Sequence, residues 1–164
     1  MAVVDYFLKI DGIDGESMDD KHKNEIEVSA FNFGATQTGS YSTGAGAGTG
    51  KVSVHDFHFT TKVNKASPKL FLACASGQHI KKAVLTCRKA GKDQQEYLKW
   101  TMSDLLVSSY QTDGSGGADV VPNDNFSFNF AKVQVEYKAQ KADGTLEGAV
   151  QAGWDLQANK AATA

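Results

Sequence analysis

Four histidines are the residues of this chain best suited to bind a metal ion or to act as a general base. His55 and His58 lie three residues apart in a predicted strand, so their side chains point to opposite faces and cannot chelate together without a bulge between them. His22 falls in a charged loop, and His79 follows a predicted helix. We interpret all four as ordinary surface or hydrogen-bonded histidines and predict no metal site.

The two cysteines could supply thiol chemistry, but their predicted surroundings make them unreactive. Two cysteines exclude a dense disulfide framework and a four-cysteine zinc site. Cys74 lies on the apolar stripe of a predicted helix, where a thiol is buried and inert, so Cys74 and His79 do not form a nucleophile with its base. We favour two reduced, buried thiols over the alternative of a single disulfide between Cys74 and Cys87.

A glycine-rich run that ends at Gly50 and Lys51 invites comparison with a phosphate-binding loop. Such a loop needs a glycine where this chain has Ala45 and a hydroxyl where it has Val52, and here the run leads into a strand rather than a helix. The acidic residues between positions 11 and 20 lack the spacing and the closing glutamate of a calcium loop. The sequence therefore predicts no cofactor and no catalytic site.

The chain as a whole, including any strands or helices that would position a functional site, has an ordinary composition. Its 164 residues carry 17 Lys+Arg against 19 Asp+Glu, a formal net charge of −2, and 41% are hydrophobic. This size fits a single domain over residues 1–164. Near-neutral charge without a basic run argues against nucleic-acid binding, and no apolar stretch reaches the ~18 residues of a membrane helix. The first residues do not resemble a secretory signal, which by itself predicts a cytoplasmic protein.

Most of the chain shows the alternation of apolar and polar residues that is typical of β-strands. Strands are predicted over residues 4–10, from near residues 25, 51, 80, 94 and 125, and over residues 149–157. In four segments the apolar residues change from even to odd positions partway, as between Val28 and Phe31. A change of this kind indicates a bulge, a strand that buries opposite faces along its length, or strand ends that are placed wrongly. Four changes favour strongly curved strands in a closed barrel.

One short helix is predicted between Ser67 and Gly77. Ser67 offers an N-cap oxygen, Pro68 fits the first helical position, and Gly77 can adopt the left-handed conformation that ends a helix. Leu70 and Ala73 share the apolar stripe, so a helix this short must lie on the barrel wall to be stable. The predicted fold class is therefore all-β, a β-barrel with one short flanking α-helix.

The sheet edges and apolar outer faces of such a barrel need cover. Proline often blocks a sheet edge, but only Pro68 and Pro122 are present, and the first belongs to the helix. These features favour self-association through neighbouring copies. A head-to-tail contact that closes on itself produces a ring.

Several short motifs follow one another along nearly the whole chain. Together they resemble the haemolysin-coregulated protein (Hcp) family, which supplies the tube subunit of type VI secretion systems. The motifs are Phe7-Leu8-Lys9-Ile10 with Gly15-Glu16-Ser17, Glu25-Ile26-Glu27-Val28 with Phe31-Asn32-Phe33-Gly34, Ser67-Pro68-Lys69-Leu70 with Ala73-Cys74-Ala75-Ser76-Gly77, Leu85-Thr86-Cys87-Arg88-Lys89-Ala90-Gly91, Gln95-Glu96-Tyr97-Leu98, Asn129-Phe130-Ala131-Lys132-Val133 and Gly153-Trp154-Asp155.

The resemblance implies a barrel similar to phage tail-tube proteins, assembled as a homohexameric ring. Rings are expected to stack into a tube that carries small effector proteins in its lumen. A contractile sheath propels that tube and its tip spike out of the cell. The resemblance thus implies a protein that is made in the cytoplasm, secreted without a signal peptide, not inserted in a membrane, and free of enzymatic activity. The alternative is a small-molecule-binding barrel or a minor enzyme, with its pocket at the barrel mouth.

The resemblance also implies roles for individual residues. Asn32 occupies a position that faces the lumen in this family, which makes it a candidate effector contact, with Ser29 as a weaker neighbour. The alternative for Asn32 is a plain polar residue on an outward face. The family's extended loop, which contacts an adjacent subunit or ring, resembles the run from Gly39 through Gly44 to Gly50. Candidates for ring stacking are the turn at Ala90, Gly91 and Lys92 and the stretch from Gln157.

Overall fold

The structure is a computed structural model that describes residues 4–40, 48–89, 94–117 and 121–163. Within these ranges the chain forms ten strands and one helix. In chain order they are β1 (Val4–Ile10), β2 (Ile26–Asn32), β3 (Ala35–Ser40), β4 (Gly48–Val54), β5 (Phe57–Lys62), α1 (Ser67–Ser76), β6 (Ile80–Lys89), β7 (Glu96–Asp113), β8 (Asn123–Tyr137), β9 (Val150–Asp155) and β10 (Lys160–Ala161).

Six of the strands close into a barrel. Antiparallel pairing runs in the order β8, β5, β2, β1, β6 and β7, and β7 pairs back onto β8 to complete the circle. The C-terminal half of β8 also pairs with β9, which pairs in turn with β10. Strands β3 and β4 form a separate two-stranded hairpin. The predicted all-β barrel with one short helix is confirmed.

Phenylalanine side chains fill the barrel interior. Phe57, Phe59, Phe126 and Phe128 are each at most 1% exposed. Their contacting ring centroids lie 4.9 to 5.6 Å apart. Aromatic pairs at this spacing contribute about 0.5–1.5 kcal/mol each beyond the burial of their area. In the described part of the chain, the interior is therefore a packed core that leaves little room for a ligand.

Backbone irregularities coincide with two of the four predicted changes of apolar phase. In β2 the pairing with β5 shifts by one residue between Val28 and Ala30. In β7 the backbone of Asp104 has a φ of 53°, and Met102 and Leu105 on either side of it both belong to the core. A regular strand would point residues 102 and 105 to opposite faces. The prediction that irregular strands restore the buried face is confirmed in both strands.

The prediction of one continuous strand from Lys51 onwards is wrong. The chain leaves the hairpin at His55 and Asp56, so β4 and β5 belong to different sheets. His55 and His58 therefore do not share a strand. The change of apolar phase in this segment marks a boundary between two strands instead of a bulge.

The run from Gly39 to Gly50, which the resemblance identified with an extended loop, belongs to paired strands at both ends. Gly39 pairs with Thr49 in the hairpin, and Gly50 lies within β4. Residues 41–47, including Gly44, lie outside the described residues. Glycine is depleted in strands, so a glycine-rich sequence does not indicate that its residues pair in a hairpin.

The predicted N-cap of α1 is wrong, whereas its C-terminus is confirmed. Ala66 is the N-cap, because the Ser67 hydroxyl donates a hydrogen bond to the buried carboxylate of Asp124. The same hydroxyl oxygen accepts the backbone N–H of Asn64 at 3.0 Å. Gly77 ends the helix with a φ of 65°, in the left-handed region that a glycine adopts without strain.

Helix α1 packs on β7 through one face and exposes the other. Leu70 and Ala73 are completely buried, as predicted, while Pro68 takes the second rather than the first helical position. Phe71 and Leu72 remain 60% and 61% exposed. The helix therefore places two large apolar side chains in solvent on its outer face.

Candidate functional site

Asn32 lies in a concavity on the outer face of the barrel. It pairs with His58 of β5, which pairs with Ser127 of β8, and Ser127 pairs with Ser109 of β7. Residues at one level of a sheet point to the same face, so the register builds a row of polar side chains across four strands. The resulting polar concavity has a volume of about 570 Å³ and is lined by Asn32, His58, Thr60, Ser109, Gln111 and Asn125.

Hydrogen bonds hold the wall of the polar concavity in place. Thr60 Oγ1 donates to Asn125 Oδ1 at 2.9 Å, and Asn125 Nδ2 donates to Asp113 Oδ2 at 3.0 Å. The hydroxyl oxygens of Ser109 and Ser127 lie 2.5 Å apart. Hydroxyl, amide and imidazole groups can both donate and accept hydrogen bonds. This surface can therefore form hydrogen bonds both as donor and as acceptor.

Ser29 and Asn32 lie on the same strand but do not line the same surface. Ser29 is the extra residue of the bulge in β2, between Val28 and Ala30. It lines a separate groove of about 590 Å³ together with Lys62 and Arg88. The structure thus places the two predicted effector contacts in different concavities.

This second surface, the charged groove, is organised by ion pairs within the chain. Arg88 Nη2 lies 2.7 Å from Asp19 Oδ2 and 3.2 Å from Asp5 Oδ2, and its side chain is only 3% exposed. The hydrogen bond from Arg88 lowers the pKa of Asp19 from 3.8 to about 2, and Asp19 in turn raises the pKa of Arg88. The guanidinium also lies 4.8 Å from the centre of the Phe7 ring. Its charge is already compensated, which makes the groove a poor anion site.

His22 is a buried, hydrogen-bonded histidine, as one of the two interpretations predicted. Its Nδ1 lies 2.9 Å from Glu25 Oε2, and its Nε2 lies 2.7 Å from Glu96 Oε1. Its ring stacks on Phe7 with centroids 4.4 Å apart. Both ring nitrogens are occupied, so His22 fixes the loop between β1 and β2 onto the start of β7.

The remaining candidates for chemistry are separate from one another. His79 Nε2 lies 3.3 Å from Asp104 Oδ1 at an exposed position. Among the described residues, no three His, Cys, Asp or Glu side chains come together in a way that could hold a metal ion. Within the same residues, no helix has the length and apolar character required to cross a membrane.

Both cysteines are free thiols in the structure. Cys87 is fully buried, and burial raises the pKa of its thiol to about 12. A thiol in that state is a poor nucleophile. The prediction of burial is confirmed for Cys87, whereas Cys74 is only half-buried.

An apolar concavity lies between the β3–β4 hairpin and the sheet of β7, β8 and β9. It has a volume of about 430 Å³ and almost no polar lining. The indole Nε1 atoms of both tryptophans of the sequence are buried there without a hydrogen-bond partner among the described groups. Side chains that line it include Phe33, Val54, Trp100, Val133, Ala152 and Trp154.

The candidate stacking residues fall into two groups. Gly39 and Gly50 belong to the hairpin beside the apolar concavity, and Gln157 lies in an exposed turn after β9, where its N–H donates to Asp155 Oδ1 at 2.9 Å. The other candidates lie outside the described residues, namely Gly44, Ala90, Gly91 and Lys92.

Sequence reasoning missed most of the polar concavity. Thr60 and Asn125 were not singled out, and His58 was considered only for metal or base chemistry, although each alternates with a buried phenylalanine in its own strand. That alternation marks them as outward-facing. What brings them beside Asn32 is the register between strands more than sixty residues apart in sequence, between β5 and β8, which no local pattern contains.

Comparisons with known proteins find similarity over almost the whole chain. A family model described as "Type VI secretion system effector, Hcp" matches residues 7–137. Protein hcp1 of Pseudomonas aeruginosa is 48% identical over 158 residues, which cover 95% of this chain and 97% of that protein.

Solved structures show the same similarity in three dimensions. The crystal structure of Hcp1 from Salmonella typhimurium is 43% identical, covers 98% of this chain and 100% of that chain, and has a TM-score of 0.82. A second structure, of a type six secretion system protein, reaches a TM-score of 0.91 at 33% identity, with 96% and 99% of the two chains covered. The baseplate of the anti-feeding prophage shares the fold, with a TM-score of 0.50 at 11% identity over 82% of this chain and 93% of that one.

Proposed function

The chain belongs to the Hcp family of type VI secretion system proteins, and we propose that it is a structural subunit of the secretion tube. In this proposal six copies form a ring, the rings stack into a tube, and the tube is propelled by a contractile sheath behind a tip spike. The protein is made in the cytoplasm and leaves the cell through the secretion machine. Its role is structural and involves no catalysis.

We propose further that the polar concavity faces the lumen and binds small effector proteins. The observation that carries this part is the exposed polar lining that four strands contribute to one hydrogen-bonding surface, namely Asn32 of β2, His58 of β5, Asn125 of β8 and Ser109 of β7. Such a surface can exchange its bonds to water for bonds to a passing protein at little net cost. An effector can therefore be held and later released.

Assembly is tested first, by negative-stain microscopy and mass measurement of the purified chain over a wide concentration range. We expect hexameric rings, with stacked rings at higher concentration. Monomers at every concentration would contradict the tube role.

Effector binding is tested by substitution of Asn32 with lysine. Asn32→Lys places a positive charge in a row of neutral groups, so retention of effectors captured from the native cell should fall while rings persist. Gln151→Lys is the matched control, since it makes the same change of an exposed amide on β9, away from the polar concavity. Equal retention by both variants would remove Asn32 from the effector contact.

The alternative of a small-molecule-binding barrel receives little support. Its pocket would need space within or at the mouth of the barrel, and four phenylalanine rings pack the interior of the described structure. The polar concavity opens on the outer wall instead.

A further inference from the structure

The outer face of α1 presents an apolar patch that nothing in the described chain covers. The patch consists of Phe71 and Leu72, which are 60% and 61% exposed. The Phe71 ring contacts Tyr110 near the C-terminal end of β7, with ring centroids 6.1 Å apart. Adjacent large apolar side chains on a surface are typical of an interaction site rather than of scattered exposure.

The apolar concavity has the complementary chemistry. Its walls are aliphatic and aromatic, and its volume is about 430 Å³. Trp100 and Trp154 leave their indole N–H groups buried without a partner among the described groups. Apolar walls that face water are unfavourable, so the concavity is suited to an occupant that supplies apolar side chains.

The patch and the concavity lie at opposite ends of one strand. Trp100 lines the concavity, and Tyr110 touches the patch, so ten residues of β7 separate them. At ~3.3 Å per residue the length of strand between them is at most roughly 30 Å. In the structure the patch is exposed, so it does not occupy the concavity of its own molecule.

We propose that the Phe71–Leu72 patch of one copy docks in the apolar concavity of a second copy. Two different surfaces of the same chain then meet, which is a heterologous contact. Such contacts propagate in one direction and produce either a closed ring or an open filament, never an isolated symmetric pair. This inference rests on the proposed function, which requires the chain to assemble with itself, and it identifies the surfaces involved.

Tryptophan fluorescence tests the contact in the unmodified protein. The sequence has two tryptophans and both line the concavity, so their emission reports directly on its occupancy. As the protein concentration is raised and the chain assembles, the tryptophan emission should shift to shorter wavelength and its quenching by acrylamide should fall. Both changes should follow the increase in the measured particle mass. An unchanged signal during assembly would overturn the proposal, and so would tryptophans that are already fully shielded in the monomer.

Two variants remove one partner surface each. Phe71→Ser with Leu72→Ser disables the patch, and Ala152→Lys places a charge in the concavity. Each change should raise the protein concentration at which half of the chains are assembled by at least about tenfold. A tenfold change is modest for the loss of residues at the centre of an interface. The controls are Lys69→Ser on the same helix, which removes no apolar side chain, and Gln151→Lys beside Ala152, on the opposite face of β9.

A mixture of the two variants gives the decisive result. The patch variant retains an intact concavity, and the concavity variant retains an intact patch, so the mixture should form a dimer of about twice 17.6 kDa that does not grow further. Circular dichroism confirms that each variant is folded. A mixture that remains monomeric, or variants that assemble as well as the controls, would overturn the inference.

Failure of the inference is distinguishable from failure of the proposed function. If the unmodified chain forms rings and both variants also form rings, the tube role stands and the contact lies elsewhere. If the unmodified chain stays monomeric at every concentration, the tube role itself fails.

Discussion

The polar and apolar concavities are of similar size and share strand β7, yet their chemistry is opposite. Ser109 and Gln111 contribute to the first, and Trp100 contributes to the second. Water satisfies hydroxyl and amide groups, so the polar concavity can stand open in a free subunit without penalty. Apolar walls in water are unfavourable until they are covered. The difference fits the two proposals, which give the polar surface an exchangeable partner and the apolar surface a lasting one.

Phe57 connects the two regions, and its removal should have the largest effect on stability. Its ring contacts Phe31, which lines the polar concavity, at 6.0 Å, and Phe33, which lines the apolar one, at 5.1 Å. Phe57→Ala should lower the free energy of unfolding by about 3–5 kcal/mol, because the ring is fully buried and leaves a cavity. Urea denaturation measures this.

Phe71→Ala is the matched control for Phe57→Ala. The same atoms are removed from a ring that is 60% exposed, so the loss should be well below that of Phe57→Ala. Equal losses would mean that Phe57 is not a structural link between the two concavities.

A substitution at Gly153 disturbs only the apolar side. A Cβ at this position would lie 2.1 Å from the backbone oxygen of Ala162 and 3.1 Å from that of Val133. Gly153→Ala must therefore shift the chain after β9, at a cost of about 3 kcal/mol, the upper end for overpacking. Thermal unfolding and tryptophan emission should both change, since Trp154 is the next residue. Gly148→Ala, where a Cβ meets no atom within 4 Å, should be nearly neutral.

The charged groove differs from both concavities, because ion pairs within the chain already compensate its charges. Asp19 has its pKa lowered to about 2 and a side chain that is 19% exposed. A lowered pKa in the folded state contributes stability above the unfolded pKa of 3.8, and that stability is lost as the pH falls towards 2. Asp19→Asn should therefore destabilise the fold by about 2 kcal/mol at pH 6 and by much less near pH 2.

Urea denaturation across this pH range tests the prediction for Asp19. The exposed Asp14, changed to asparagine, serves as the control and should leave the pH profile of the wild type intact. An Asp19→Asn variant that is destabilised equally at both pH values would show that charge does not hold the groove together.

The polar concavity should give the smallest effect. Thr60→Val removes the hydroxyl that bonds Asn125 at 2.9 Å while preserving the shape of the side chain. The loss should be about 1 kcal/mol or less, because water can replace a partner on an open surface. Urea denaturation resolves this, and a loss comparable to that of Gly153→Ala would contradict the contrast between the two surfaces.

Local patterns predicted the parts of the fold that depend on local forces. Alternation located β1 and most other strands, and Gly77 marked the end of α1 through its backbone freedom. Each of these depends on residues close together in the sequence. Asn32 was instead proposed from the family resemblance, and its role stays a prediction.

Long-range contacts explain what the sequence did not reveal. The Ser67 hydroxyl serves Asp124, 57 residues away, instead of capping its own helix. His22 bonds to Glu96 across 74 residues. The β3–β4 hairpin has little alternation of its own, and its pairing depends on glycine-rich segments whose register is weakly specified. Contacts of this kind with residues far away in the sequence cannot be recognised from a short stretch of sequence.

Strand β7 has a mechanical consequence. Its pairing with β8 extends from Leu98 opposite Tyr137 to Asp113 opposite Asn123. A force applied along the strand would load this ladder in shear, so that many hydrogen bonds must break together, whereas a force across it would peel them one at a time. A barrel pushed end to end along β7 therefore loads many of these hydrogen bonds at the same time.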